Sequence, residues 1–289
     1  MDATIAELIV LAVIAVTLVI LVSASISDWK DREVSDAHWA VLGAVGAVGF
    51  TACCIIWNGL KWEYICLLFG TLMILADILM DSDRYLVLFY ILMAVLFIVP
   101  LYELHGASDP YFAAWLSIPI SYIIFAGMYM FGVIQGGADT KCLICLAISF
   151  PVYPQAFSLP FLIGVGNEPV VDIFTFAISA LFFGAIIVMF VTVYYLITNI
   201  KRGTKGKNMA IGRRMSVSEA RTSHVWPMED IVDGKLERCN IPEEPEEVYD
   251  RLDQAGVTEI WVTPMIPFII PITVVVMILI FIGDPLYLI

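Results

Sequence analysis

Eight apolar runs, most of them near the roughly 20 residues an α-helix needs to cross a hydrocarbon core, constrain this chain more than any other feature. They cover residues 5–26, 39–57, 64–80, 85–102, 111–134, 142–152, 170–200 and 265–282. Backbone amides and carbonyls find no water in lipid, so each run must pair its own polar groups, which favours helices in a bundle over strands. The composition agrees: 61% of residues are hydrophobic and the mean hydropathy is +0.91, well above a soluble domain. The expected fold is an all-α polytopic membrane protein, a bundle of about eight transmembrane helices with a small cytoplasmic domain before the last one. Run 142–152 is short and needs residues of the flanking "GGAD" or "PVYP" to span, whereas run 170–200 is longer than a membrane requires.

Orientation follows from the basic residues, because cytoplasmic loops near helix ends carry the positive excess. With the N-terminus outside, Lys30, Arg32, Arg84, Lys141 and the basic stretch after Ile200 all become cytoplasmic, and only Lys61 is left outside. Both termini then lie outside. The start "MDATIAELI" has no basic n-region, so the first run reads as a permanent span rather than a cleaved signal.

The chain divides by composition into a membrane core of seven helices at 1–200, a soluble segment at 201–260 and a last helix within 261–289. The formal net charge is -13, yet residues 201–221 are strongly basic and 229–259 strongly acidic. The basic part reads as a juxtamembrane segment against anionic lipid, followed by a small solvated domain. An alternative is that the acidic face attracts a basic substrate segment. Within it, a short helix over 246–254, a stop at Gly256 and a strand at "TEIWVT" are expected. No nucleic-acid partner is implied.

Six cysteines in and beside membrane spans and in a reducing compartment do not make a disulfide framework. The "CLIC" spacing of Cys142 and Cys145 lacks a second pair of zinc ligands, so both read as buried small side chains. His38, His105 and His224 fall in different loops. No cofactor or metal is implied.

What remains is acid at membrane boundaries, where an ionisable group is a functional hypothesis by default. Asp28 follows "ILVSASIS" at the cytoplasmic end of the first run, and Asp139 opens the sixth within "GGADTK". The topology puts both carboxylates on one side at one depth. Two carboxylates within a few ångströms cannot both ionise easily, so they share a proton and can activate water against a peptide carbonyl. Gly136 and Gly137 are expected to turn the backbone through positive φ and admit a substrate strand, with Ala138 keeping the site small and Lys141 binding substrate or shaping the loop. Asp77, near the cytoplasmic end of the third run, is the competing acid: it reads either as a coupling site of a transporter or as a carboxylate that reaches water or pairs with Arg84. Pro264, Pro267 and Pro271 are expected to mark the start and a kink of the last helix. Glu168, Asp172 and Asp284 fall on the outer side, away from the site.

"SDWKDREVSD" after a first transmembrane helix, with "GGADTK" opening a later one, resembles the aspartic prepilin and preflagellin peptidases of the GxGD type. "EIWVTPMIPFIIPIT" before the last helix is similar to the C-terminal signature of the archaeal preflagellin members. The resemblance implies that Asp28 and Asp139 are the catalytic pair and that Gly136 is the first glycine of the motif. It also implies a substrate drawn from archaellin-like or pilin-like precursors, whose basic leader is cut on the cytoplasmic side before a hydrophobic helix and would meet Asp31, Glu33 and Asp36. Two departures stand out: Ala138 replaces the second glycine, and the stretch between the two aspartates has room for two additional helices, an even number that preserves sidedness. The loop 28–39 contains no cysteine, so peptidase activity without methylation is expected. A presenilin-like protease is the nearest enzymatic alternative, but it pairs its GxGD aspartate with a Tyr-Asp on the preceding helix, where run 111–134 contains no Asp, and its Pro-Ala-Leu signature is missing here.

Overall fold

The computed structural model describes residues 2–80, 86–134, 136–162, 175–204, 206, 208–239, 245–265 and 267–285. The calls on Arg84, Glu168 and Asp172 lie outside them. The chain divides into two compact units, Met1–Gly184 with Pro267–Ile289, and Ala185–Ile266.

The first unit is helical. It contains α1 (Asp2–Asp31), α2 (Asp36–Asn58), α3 (Trp62–Leu79), α4 (Leu86–Gly106), α5 (Phe112–Met130), α6 (Gly137–Ser149), the start of α7 (Thr175–Lys201) and α10 (Ile269–Phe281). Among the described residues, six helices, α1 to α5 and α7, are long and apolar enough to cross a membrane. The other two of the expected eight fall on α6 and α10, which are shorter. α6 and α10 have 13 residues each, about 20 Å at the usual rise of 1.5 Å per residue, against a hydrocarbon core of about 30 Å. α6 is stopped by Pro151, which keeps Phe150 out of the helical region (φ -132, ψ 64). α10 begins two residues after Pro267, and Pro271 sits in its first turn, where a missing N–H costs nothing. Pro271 therefore belongs to the start of the helix, and the expected kink is not needed to explain it.

α2 packs against α1, α3 and α6 and so links the two helices that carry Asp28 and Asp139. A Cβ on Gly46 would lie 2.5 Å from the Ser149 Cα, so this glycine lets the backbones of α2 and α6 approach closely. Away from that contact, Asp109 joins two loops. Its buried carboxylate accepts from Lys61, from the Tyr64 hydroxyl and Asn58 Nδ2 (both 2.8 Å) and from the Tyr111 N–H (2.9 Å). Lys61, the one basic residue that the topology leaves outside, thus has a specific partner.

The second unit is not helical alone, which corrects the all-α expectation. It holds the last turns of α7, β1 (Arg213–Ser216), α8 (Val217–Arg221), β2 (Val225–Pro227), β3 (Glu229–Val232), β4 (Lys235–Arg238), α9 (Pro245–Gln254) and β5 (Glu259–Pro264). The boundary falls inside α7 because Asn199, in its last turns, donates to the carbonyls of Met209 (2.8 Å) and Gly212 (2.7 Å). β5 is the centre of an antiparallel sheet of order β1-β5-β2, with Arg214 opposite Trp261 and Trp226 opposite Thr263. β3 and β4 form a hairpin whose turn residues, Asp233 (φ 51) and Gly234 (φ 73), both adopt the positive φ that a two-residue turn requires. Its core comprises Met215, Val217, Val248, Leu252, Ile260 and Val262 among others. α9, the stop at Gly256 (φ 70) and β5 fall where they were expected.

The basic and acidic stretches fold onto each other here. Arg221 pairs with Asp250 (2.8 Å), Asp253 (3.1 Å) and Glu246 (3.7 Å), and Arg251 with Asp230 (2.6 Å). Residues 213–221 are part of a folded unit with their own acidic partners, which replaces the lipid-facing reading for that portion.

Candidate active site

α1 ends at Asp31, and the chain turns through Arg32 in the left-handed region (φ 58) before Ser35 caps α2 by accepting the Ala37 N–H at 3.3 Å. Asp28, in the last turn of α1, is half-buried. The backbone N–H of Ile269, the first residue of α10, acts electrostatically on its carboxylate. Phe268, which precedes that helix, offers no side-chain cap. An acid on another helix thus lies under the influence of the α10 N-terminus, whose positive dipole end favours it there. The two helices are held together nearby: Ser25 Oγ and Thr273 Oγ1 are 2.8 Å apart. This link was not legible beforehand. The prolines of "PMIPFIIP" signal where α10 starts but not which side chain lies near its first amide.

Asp139 lies in the first turn of α6 and is half-buried. Its carboxyl group folds back over Gly136: a Cβ there would lie 2.2 Å from Asp139 Oδ2 and 2.8 Å from its Cγ. This corrects the expected role of the glycine pair. Gly136 has φ -87 and ψ 118, an ordinary extended conformation, and Gly137 is the first helical residue, so neither is in the positive-φ region. Gly136 is required for space, not for its backbone freedom. A Cβ on Gly137 would meet only Tyr129 Oη at 3.7 Å, an ordinary contact. Ala138 follows in the same turn, half-buried.

Asp28 and Asp139 come within electrostatic reach of one another, the charge on Asp28 acting on Asp139. Around them, Lys141 Nζ reaches Asp36 Oδ1 at 2.5 Å, tying α6 to the first turn of α2. Lys141 therefore has an internal partner, and of the three acids expected to meet a leader, Asp36 is engaged while Asp31 and Glu33 are exposed. His38 also joins this end, with Nε2 3.0 Å from Ser23 Oγ on α1. Behind Asp139, Cys142 and Cys145 are buried, the Cys145 thiol 3.4 Å from the Trp39 carbonyl. Among the described residues no group of three or more His, Cys, Asp or Glu side chains is placed to hold a metal ion.

Asp77 lies elsewhere. Its two oxygens accept from the Tyr90 hydroxyl (2.9 Å) on α4 and the Tyr122 hydroxyl (2.5 Å) on α5, so this acid joins α3 to both neighbours. Asp284 is buried and accepts from Ser179 on α7.

The family described as Archaeal Peptidase A24 C-terminus Type II matches residues 204–285, which brings the 201–259 stretch, without a recognisable motif of its own, into a known family. Three curated relatives carry the name preflagellin peptidase. The protein of Methanococcus maripaludis is 32% identical over 171 residues, 57% of this chain and 70% of the relative. That of Methanocaldococcus jannaschii is 30% identical over 164 residues, 55% of this chain and 68% of the relative. That of Methanococcus voltae is 28% identical over 174 residues, 57% and 70%.

Proposed function

The chain belongs to the preflagellin peptidase family, and from that premise we propose that it is an aspartic endopeptidase acting on archaellin-like or pilin-like precursors. It removes their short basic leader at the cytoplasmic membrane face, with both termini of the chain outside. What supports this reading most is that Asp28 and Asp139, acids far apart in sequence and borne on different helices, come within electrostatic reach of one another.

The pair holds one proton between its carboxyl groups and titrates as a unit. The ionised member takes a proton from water while the water oxygen bonds to the scissile carbonyl carbon, and the protonated member gives its proton to the carbonyl oxygen. The resulting gem-diol then collapses. One diol hydroxyl returns its proton to the carboxylate that had donated, the C–N bond breaks, and the departing nitrogen takes the proton that water had supplied. The dyad is left with one proton, as it began. A leader rich in Lys and Arg approaches an end of the molecule where Asp31 and Glu33 are exposed. The extended backbone at Gly136, with no side chain of its own, leaves Asp139 room beside the peptide.

The test is leader removal followed by mass spectrometry, with full-length protein in micelles or vesicles and a precursor bearing a basic leader before its hydrophobic helix. Asp28→Asn and Asp139→Asn each abolish cleavage and Asp77→Asn keeps it. Retained cleavage in either of the first two variants refutes the dyad, and loss confined to Asp77→Asn moves the function to the α3–α5 carboxylate.

A further inference from the structure

Arg32 stands out among the charged residues near the dyad. It follows the last residue of α1 with φ 58, the left-handed conformation that a helix end usually assigns to glycine. An arginine is a costly choice there, and backbone strain of this kind concentrates at functional positions. The turn keeps the guanidinium close to the dyad, where its charge acts on Asp28. Yet Arg32 forms none of the ion pairs found among the described residues, and its Nε and Nη1 are buried with no acceptor. The Trp29 ring lies 5.8 Å from the guanidinium carbon. Buried donors of a cation are rarely left without an acceptor, and those that are call for an explanation. Lys141, the neighbouring cation, shows the contrast: it is already paired with Asp36.

We propose that Arg32 donates hydrogen bonds to the carbonyl oxygen of the substrate peptide at the Asp28–Asp139 pair, and so is a third catalytic residue. The proposal rests on the peptidase reading above. The acceptor that Arg32 lacks has to be a neutral or anionic oxygen, able to lie beside Asp28 without competing for its charge. A peptide carbonyl entering the dyad brings such an oxygen, and its partial negative charge grows as water adds to the carbon. A fixed guanidinium donor stabilises that growing charge more than it stabilises the resting carbonyl. The oxygen of a lipid phosphate is the competing acceptor, and the experiment separates the two.

Arg32→Gly is the decisive variant, because glycine adopts the left-handed turn without strain and the fold is kept. Full-length wild type, Arg32→Gly, Arg32→Lys and Asp28→Asn are compared in steady-state leader cleavage, in alkyl maltoside micelles free of phospholipid and again in phosphatidylglycerol vesicles. Arg32→Gly is expected to melt at or above the wild-type temperature while kcat falls about 100-fold, the usual loss on removing one donor to a reacting oxygen. KM moves little, Arg32→Lys recovers part of kcat, and added ethylguanidinium restores part of the activity of Arg32→Gly, all in both media. Wild-type kcat in Arg32→Gly overturns the proposal. A deficit confined to the vesicles also overturns it and assigns Arg32 to lipid phosphate. If wild type leaves every leader intact, or Asp28→Asn cleaves normally, the peptidase reading itself fails and takes Arg32 with it. Cleavage that needs Asp28 but not Arg32 removes only the present proposal.

Discussion

Replacing Gly136 with alanine tests the geometry of the dyad without touching either carboxylate. The new Cβ would lie 2.2 Å from Asp139 Oδ2 and 2.8 Å from Cγ, far inside van der Waals contact. The backbone has no reason to object, since φ -87 and ψ 118 suit alanine, and a residue with fewer unfolded conformations than glycine is neutral or slightly stabilising there. The strain must therefore be relieved by Asp139. Its carboxyl group has to move by about 1 Å, and a misplacement of that size in a reacting group costs about 100-fold in rate. Gly136→Ala is thus expected to keep its melting temperature within about 2 °C, a small stability change on the usual scale, while leader cleavage drops about 100-fold. Gly137→Ala is the matched control, because its Cβ meets only Tyr129 Oη at 3.7 Å, and its activity should stay near wild type. Cleavage by Gly136→Ala at the wild-type rate, with the protein folded, would refute the placement of the Asp139 carboxyl group over Gly136.

Other contacts yield outcomes of a different kind. Asp109→Ala strips the acceptor from Lys61, Tyr64, Asn58 and the Tyr111 amide, and breaking a buried pair of this type costs about 3 kcal/mol, read as a lowered melting temperature. Burial pushes Asp109 up, but the hydrogen bonds from Lys61, the Tyr111 amide and Tyr64 hold it below the ordinary carboxylate range. Its stabilisation is therefore complete above the unfolded value of about 4 and fades as pH falls through the lower folded value; a variant as acid-sensitive as wild type would contradict this. Asp77→Asn weakens the bonds from Tyr90 and Tyr122 at about 1 kcal/mol, so stability drops while leader cleavage stays within a few-fold, and a dead but folded variant would bring Asp77 into the chemistry. In the second unit, the two hydrogen bonds from Arg251 keep Asp230 below its ordinary value. Protection factors of the amides in β3 and α9, corrected for the intrinsic exchange rate at each pH, should fall as pH drops through that depressed value, and Asp230→Asn should show lower protection at neutral pH but lose the acid dependence.

Much of the helical unit could be read from hydrophobic runs, because helices of this length have few alternatives in lipid. Where the runs misled, polar residues had been counted out. α6 starts at Gly137, five residues before its apolar run, with the polar Asp139 and Lys141 in its first turns and Lys141 paired with Asp36. α10 starts four residues later than its run, because Pro267 and Pro271 confine the first turn. The second unit was legible only where local signals are strong. The Gly256 stop lies between α9 and β5, whereas β1 and β2 are four- and three-residue strands that exist by pairing with β5, a long-range partner that no local pattern names. Charge blocks misled for a related reason: Arg221 lies in a basic run by sequence but among Glu246, Asp250 and Asp253 in space.

The dyad separates in the same way into what residues declare and what only packing decides. Two acids at apolar boundaries with glycine beside one of them are visible in a single sequence. Their differing supports are not. Asp139 is set by its own helix, through the space over Gly136, so its placement is local to a few residues. Asp28 lies beside a helix some 240 residues further on, held to α1 by the Ser25–Thr273 contact. The family match at 204–285 contains that helix. The matched region therefore contributes an element to the first unit as well as the second, since α10, whose start acts on Asp28, lies within it. This arrangement puts a structural demand on the start of α10: Ser25→Ala with Thr273→Val retains every carboxyl group in the sequence yet is expected to loosen the start of α10 beside Asp28, read as lower exchange protection of its first amides.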